Sequence, residues 1–486
     1  MGVYAKATPL RMLGVAIFVA LSMTVIGGGA AKAKDLDGDY TLTQDMTEQI
    51  VVVANKTVVL DLNGYNITTT GEDAIVVEKG AMLTVKGAGT VEATGSGSWA
   101  ALYNKAGEVV LDGGTYLKDD DKGSYYAILN HGGLTINDGV TVQMINGAGS
   151  SLIDNGYYNY ANTTNDKLGH IPGLNYEKPT LTINGGAFDG GMNTVKNDDN
   201  GVLEINGGTF KNTTQVTVMN WNEATINGGT FNVTNGAALS NGGYGADSVD
   251  RGIMTVNGGT FNSDSLLTEN EGTDAYDSVQ VNGGTFNIAA VTMPGLMVQA
   301  PTITGGVFTN NDIELPALPD GYYAYILGDG SKLVTDQKVD FESDKFVLNL
   351  TMGGENGVLD LDDFVLQNAA ISIERLDDGN VEMNGAEIIA THPGTVVVTV
   401  EFNGEVQTHV INIAAADETT DDDSEVTQPV DEATDTNDGD ITAPNTGSTV
   451  LSTVAANDGV STLATITTAI VMLMMLAGLR VVSTKE

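Results

Sequence analysis

Few residues in this 486-residue chain have the types and spacing needed for acid–base chemistry. Two runs of carboxylates stand out, Asp119-Asp120-Asp121 and Asp198-Asp199. Cleavage of a polysaccharide needs paired carboxylates at one height, or carboxylates that hold Ca²⁺ beside a basic group. Neither run is followed, one repeat further along the chain, by a second acidic cluster or an arginine. We therefore expect these aspartates to lie in solvated turns, and we predict no catalytic residue.

Motifs for metal binding and nucleophilic catalysis are equally sparse. The run Asp35-Leu-Asp-Gly-Asp39 has the start of a calcium loop but lacks the glutamate at its twelfth position. The four histidines are scattered, and the absence of cysteine excludes thiol chemistry and thiolate metal sites. The sequence predicts no cofactor and no metal ligands, with calcium at the first loop as the one alternative left open.

The charge of the chain restricts its partners. A formal net charge of -42 and a pI of about 4.1 leave nothing basic to neutralise phosphates. We therefore expect no nucleic-acid partner. Charge repulsion also disfavours binding to anionic membranes unless the chain carries an anchor.

A repeated Asn-Gly-Gly-Thr-Phe motif indicates the fold that must position any functional residues of the chain. Its first glycines stand at Gly185, Gly207, Gly228, Gly258, Gly283 and Gly305, in steps of 22, 21, 30, 25 and 22 residues. A β-hairpin at each glycine pair would need an antiparallel partner of matching length, which the intervening segments do not supply consistently. A period of this size instead predicts a solenoid, with three short strands and three corners in each coil.

In such a solenoid, equivalent residues of successive coils stack above one another at a spacing of about 4.8 Å. We predict an internal aromatic ladder and an amide ladder at the corner, both with structural roles. The aromatic ladder comprises Phe188, Phe210, Phe231, Phe261, Phe286 and Phe308. The amide ladder comprises Asn206, Asn227, Asn257 and Asn282.

The predicted fold class is all-β: a right-handed parallel β-helix solenoid, then a small β-sandwich, with a signal peptide and a C-terminal transmembrane helix. The predicted segments are a signal peptide (1–33), a parallel β-helix (40–312), a capping β element (313–338), an immunoglobulin-like β-sandwich (339–414), an acidic linker with a sorting motif (415–459), a transmembrane helix (460–480) and a cytoplasmic tail (481–486).

Both chain ends carry targeting signals. Lys6 and Arg11 precede an apolar run and the small-residue exit Ala31-Lys32-Ala33, as in a secretory signal peptide. An uncleaved N-terminal anchor is the alternative. At the other end, twenty mostly apolar residues at 460–479 are long enough to cross a bilayer, and the cations behind them would remain cytoplasmic. We expect the bulk of the chain outside the cell, attached to the membrane.

Three stretches resemble known families. Pro444-Asn445-Thr446-Gly447 resembles the sorting signal of Gram-positive surface proteins, although Ala443 stands where leucine is usual. That resemblance implies cleavage after Thr446 by a sortase and linkage to the cell wall. The run at 57–67 resembles the opening rungs of pectate-lyase-like β-helices, and 381–400 resembles bacterial immunoglobulin-like modules, which serve as spacers.

An insert at 147–179 interrupts the repeat and is rich in tyrosine, as is typical of binding loops. The candidate ligand-binding residues are Tyr157, Tyr158, Tyr160 and Tyr176 of this insert, and Tyr244 in the 30-residue step. Alternatively, these tyrosines only cover the flank of the solenoid.

We predict a non-catalytic surface protein that binds an extracellular glycan or protein. Because β-helix proteins of the resembled kind include polysaccharide lyases and hydrolases, a surface-tethered enzyme of those classes is the alternative.

Overall fold

The structure, a computed structural model, describes residues 33–175, 178–242, 252–268, 278–294 and 300–416. Several predictions from the sequence fall on the remaining residues. The predicted signal peptide lies outside the described part except for its last residue. Most of the acidic linker, the sorting motif, the transmembrane helix, the tail, Tyr176 and Tyr244 also lie outside it.

The described residues between 34 and 308 form a parallel β-solenoid with three sheets, which confirms the predicted solenoid. We call the sheets face 1, face 2 and face 3, in the order in which each coil visits them. Face 1 contains Lys34–Leu36, Ile50–Val52, Ile75–Val77, Leu102–Asn104, Ile128–Asn130, Ile153–Asn155, Val195–Asn197, Val218–Asn220, Ala237–Asn241, Ser265–Thr268 and Ala290–Thr292. Face 2 contains Tyr40–Thr41, Thr57–Asp61, Met82–Lys86, Glu108–Leu111, Gly133–Ile136, Thr180–Ile183, Val202–Ile205, Glu223–Ile226, Ile253–Val256, Ser278–Val281 and Thr302–Ile303. Face 3 contains Ile67–Thr70, Thr90–Thr94, Thr115–Asp119, Thr141–Ile145, Ala187–Asp189, Thr209–Asn212, Thr230–Val233, Thr260–Asn262, Thr285–Asn287 and Gly306–Phe308, and a short 3-10 helix, Asp120–Lys122, follows its third strand.

Both predicted ladders are confirmed. Phe231 pairs in register with Phe210 and Phe261, and its ring centroid lies 4.8 Å from each of theirs. All six phenylalanine rings are buried and stack from Phe188 to Phe308. At the exposed corner, the amides of successive asparagines hydrogen-bond at 2.9–3.1 Å. Stacking of like side chains therefore occurs on both sides of the backbone.

The two glycine positions of the motif favour glycine for different physical reasons. Gly229 has a φ of +102°, which an L side chain rarely adopts. A Cβ on Gly228 would lie 2.5 Å from the carbonyl oxygen of Asn206 in the preceding coil. Both positions of this corner therefore favour glycine.

A second amide ladder, which the sequence analysis missed, runs inside the solenoid at the end of the face 1 strands. Its members are Asn104, Asn130, Asn155, Asn197, Asn220 and Asn241, all of them fully buried. Each Nδ2 donates to the Oδ1 of the next asparagine at 2.7–2.8 Å. Because buried amides are costly unless they are paired, this ladder holds the corner between face 1 and face 2 in register.

Two further β elements follow the solenoid. The strands Tyr323–Ile326 and Lys332–Thr335 form an antiparallel pair, and the second of them pairs with Gly306–Phe308. They cover the last strand of face 3, which would otherwise present unpaired backbone groups.

The C-terminal described unit has a hydrophobic core of its own, around Val398 and Ile411. Its four-stranded sheet contains Lys345–Thr351, Glu405–Ala414, Gly394–Phe402 and Ala370–Arg375, its three-stranded sheet contains Gly357–Val358, Glu387–His392 and Asn380–Asn384, and its helix is Asp363–Asn368. The unit is thus almost entirely β, while its likeness to immunoglobulin modules stays a prediction. Within the described ranges, no helix has the length and apolar character needed to cross a membrane.

Candidate binding cleft

The insert lies over the outward side of face 1. Its Asp166 carbonyl accepts a hydrogen bond from the Tyr103 hydroxyl at 3.1 Å, and Lys79 donates to the carbonyl of Gly173. Under this cover, the outward-facing side chains of Tyr103 and Leu129 are almost completely buried. The insert therefore runs back along the solenoid and covers the part of face 1 that precedes it.

Lys167 fixes the insert in place. Its ammonium group donates to Asp73 Oδ1 at 2.8 Å, across 94 residues of sequence. The same group lies 5.1 Å from the ring centroids of Trp99 and Tyr103 and 5.4 Å from that of Tyr125. An ion pair with cation–π contacts, partly removed from solvent, is stronger than an exposed ion pair.

Two of the predicted ligand-binding tyrosines pack in this interface. Tyr157 is fully buried, 4.4 Å from the ring of His131, and Tyr160 stacks on His170 at 5.1 Å. Burial lowers the pKa of His131 to about 3, so its ring is neutral at physiological pH. Tyr157 has no exposed surface and packs against the flank of the solenoid. Tyr158, the next residue, is 43% exposed.

A cleft of about 620 Å³ begins beside Tyr158, where the cover of the insert ends. Its floor consists of the outward side chains of four successive face 1 strands, Lys196, Met219, Ser240 and Thr268. Three strand spacings give this floor a length of about 14 Å. The volume is within the usual range for small-ligand sites.

The walls of the cleft combine aromatic and uncharged polar side chains. Tyr158 and Trp221 belong to the corner after face 1, and Tyr126 to the corner before it. The polar wall residues, from successive coils of the corner before face 1, are Ser150, Ser151, Asn193, Thr214, Gln215 and Asn235. Aromatic rings beside amides and hydroxyls can contact both the apolar faces and the hydroxyl groups of a sugar.

Lys196 stands at the centre of a buried charge cluster. Its Nζ lies 2.5 Å from Asp198 Oδ2, 3.7 Å from the ring centroid of Trp221 and 5.0 Å from that of Tyr158. Burial by itself would lower the pKa of Lys196, but Asp198 and Asp154 outweigh that effect and raise it. Lys196 is therefore a cation at neutral pH.

Asp154 is the register partner of Lys196 on the preceding coil and is 1% exposed. Burial, followed by the charge of Asp198, raises the pKa of Asp154 well above its usual range. Asp154 therefore holds its proton at pH values where an exposed aspartate is ionised. The proton on Asp154 and the positive charge of Lys196 thus reduce the negative charge of the carboxylates in this cluster.

The sequence analysis missed this pairing of carboxylates. It searched for a second acidic group one repeat away, but the insert separates Asp154 from Asp198 in the sequence while the coil brings them together.

The prediction of solvated turns is wrong for most aspartates of the two acidic runs. Asp198, Asp199 and Asp119 are buried, Asp120 is half-buried, and Asp121 alone of the five is exposed. The first run ends a face 3 strand and begins the 3-10 helix. Asp119 pairs with Lys122 at 3.2 Å and accepts a hydrogen bond from Asn146 at 3.0 Å, on face 3 and its corner.

Two buried acceptors face the cleft. Asn193 and Ser240 are 2% and 1% exposed, and both line the cleft. Asn193 Oδ1 and Ser240 Oγ have no hydrogen-bond partner within the described part of the chain. Buried polar atoms are normally paired, so both are suited to hydrogen bonds with a bound molecule.

The described ranges do not include the remaining predicted site residues. Tyr176, Tyr244 and the sorting residues Pro444–Gly447 lie outside the described residues. In the loop with the calcium-like start, Asp39 Oδ1 accepts a hydrogen bond from the backbone of Val59 at 2.9 Å. Across the described ranges, no group of three or more histidines and carboxylates is arranged to hold a metal ion.

Comparisons with known proteins give no relative: no family model, no curated protein and no solved structure matches this chain.

Proposed function

We propose that the protein is a cell-surface rod that binds a glycan chain in the cleft on face 1 and does not alter it chemically. One observation carries the proposal. An exposed aromatic ring, Tyr158, stands at the edge of a cleft whose floor and polar wall are built from successive coils. A cleft of this kind follows the axis of the solenoid and suits an extended ligand.

The charge cluster supports binding rather than catalysis. A general base must be unprotonated and must reach the proton that it removes. Lys196 fails the first requirement, because its raised pKa keeps it charged. Asp154 and Asp198 fail the second, since they are at most 1% exposed and do not line the cleft. These groups stabilise the floor of the cleft.

An enzyme is the second candidate, and the proximity of Asp154 to Asp198 favours it. A protonated carboxyl beside a carboxylate is the arrangement used in glycoside hydrolysis. The full-length protein should be incubated with pectins, alginates and mucin glycans and assayed for chain cleavage. We expect no new reducing or unsaturated ends, and their appearance would overturn the non-catalytic proposal.

Tyr158→Ala is expected to weaken glycan binding at least about tenfold, equivalent to about 1.4 kcal/mol. The substitution removes the exposed ring from the edge of the cleft and leaves the solenoid core intact. A glycan microarray would identify a binding sugar, and calorimetry would then compare the variant with the wild type. Tyr322→Ala, in the segment after the solenoid, is the matched control and should bind normally. Equal affinity for all three proteins would exclude Tyr158 from the site.

We also propose that the protein is exported and held at the surface, with 415–459 as an acidic spacer and 460–480 in the membrane. The order of the signal peptide, sorting motif, apolar run and basic tail in the sequence supports this arrangement. Right-handed winding of the solenoid and an immunoglobulin-like spacer belong to the same proposal; the strong preference of parallel crossovers for right-handedness supports the winding.

Thr446→Ala should leave the protein in the detergent-extractable membrane fraction instead of the cell-wall fraction, because a sortase would join this threonine to the wall. Fractionation of the producing cells, followed by immunoblotting, measures the change. Thr449→Ala, three residues further on, is the control and should fractionate as the wild type does. If the Thr446 variant also fractionates normally, sortase attachment is wrong.

A further inference from the structure

The cleft has a distinctive charge pattern. Among the described residues that line it, Lys196 is the only one with a charged side chain. That charge is already paired, because Asp198 Oδ2 lies 2.5 Å away. The surface that the described residues offer to a ligand is therefore polar and apolar, with no unpaired charge.

From this surface we infer that the cleft selects neutral glycans and discriminates against sugars that carry carboxylates or amino groups. The inference rests on the proposed glycan-binding function and specifies the class of ligand.

Acidic sugars find no unpaired counter-charge among the described residues of the cleft. The ammonium group of Lys196 is paired with Asp198 and lies between the rings of Trp221 and Tyr158. A uronate or sialate bound there would lose water without gaining an ion pair, which is costly. The net charge of -42 adds a long-range repulsion.

Amino sugars also gain little binding energy from charge interactions in the cleft. The overall negative charge attracts them, but salt screens that attraction beyond about 8–10 Å. No carboxylate lines the described part of the cleft: Asp154 and Asp198 are buried and interact with each other and with Lys196. On that described lining, the only charge, on Lys196, is of the same sign as an amino sugar.

The uncharged polar groups that line the described part of the cleft are suited to the neutral hydroxyl groups of a sugar. Asn193 Oδ1 and Ser240 Oγ can accept hydrogen bonds from sugar hydroxyls, since neither has a partner in the described protein. Thr214 and Gln215 are exposed on the wall and can both donate and accept. Sites whose buried polar groups are satisfied by the right ligand discriminate strongly against ligands that leave them unpaired.

The test measures binding of the full-length protein to hexasaccharides of glucose, galactose and mannose, each in neutral form and in a matched form oxidised to the uronic acid. A hexamer of glucosamine serves as the cationic probe. At an ionic strength of about 0.15 M, we expect the best neutral hexamer to bind at least about tenfold more tightly than its uronic acid form and than the cationic probe.

A pair of variants tests the cause. Gln215 is exposed on the wall, so Gln215→Lys adds a cation and Gln215→Glu an anion without disturbing the core. Because Gln215 lines the wall, both variants are expected to lose some affinity for the neutral form. In the lysine variant we expect the affinity for the uronic acid form, divided by that for the neutral form, to rise about fivefold over the wild-type ratio. The glutamate variant should not show this gain.

The outcomes separate the two proposals. If an acidic or cationic hexamer binds the wild type as tightly as the neutral form, glycan binding stands and the inferred selectivity is wrong. If the lysine variant does not gain affinity for the uronic acid form relative to the neutral form, the uncharged cleft is not the cause and the inference is likewise wrong. If no hexamer of any class binds, glycan binding itself fails.

Discussion

Replacing Phe231 with alanine is expected to destabilise the solenoid by about 3–5 kcal/mol. The ring is fully buried in the middle of the aromatic ladder and touches a stacked ring on each side. Its loss removes apolar burial, opens a cavity and leaves Phe210 and Phe261 each without one neighbour. Urea unfolding followed by circular dichroism would measure the loss as a shift of the midpoint.

The matched control for this change is Thr230→Ala on the same strand. Thr230 points outward and is only partly buried, so its replacement should alter stability by about 0.5 kcal/mol or less. Because each coil contacts only its neighbours, the Phe231 variant should also become sensitive to proteases near the altered coil. Equal stability of the two variants would show that the ladder does not stabilise the solenoid.

Asp154→Asn is expected to stabilise the protein relative to the wild type increasingly as pH rises. The raised pKa of Asp154 means that the folded state binds a proton that the unfolded state releases above about pH 3.9. Stability from this group is therefore fully present at low pH and is lost as pH rises toward the folded-state pKa, by about 1.4 kcal/mol per pH unit. Asparagine has no proton to lose, so the variant escapes this penalty.

Urea unfolding of both proteins across a series of pH values from acidic to slightly alkaline would give the difference in stability at each pH. Ser240→Ala supplies the control, because it alters the same outward row of face 1 without removing a titratable group. Its difference from the wild type should be constant with pH. A constant difference for Asp154→Asn as well would show that Asp154 ionises normally in the folded protein.

The solenoid was predictable from sequence because its signals are local and recur. An aliphatic residue before Asn-Gly-Gly and a phenylalanine after it define one inward strand, one corner and the next inward strand. Once the period is known, stacking of Phe210 on Phe231 and of Asn206 on Asn227 follows from the geometry of parallel strands. Both contacts are present in the structure.

The cleft was not predictable because its contacts cross an irregular interval. The insert changes the spacing between Asp154 and Lys196, so no fixed period pairs them, although they are neighbours in the sheet. Within the inner asparagine ladder a glycine pair follows Asn130 and Asn241 but not the other members, so a single asparagine per coil gives little signal. Nor could the sequence distinguish Tyr157 from Tyr158, since burial of one and exposure of the other depend on how the insert lies on face 1.

The inner asparagine ladder has a consequence for how the length of this protein can change. Every member from Asn104 to Asn220 donates to the next and accepts from the one before, wherever there is one. Gain or loss of a whole coil therefore leaves each amide beside an equivalent partner, whereas a partial coil leaves a buried amide unpaired. The solenoid can accordingly be lengthened or shortened in units of one coil, without redesign of its interior.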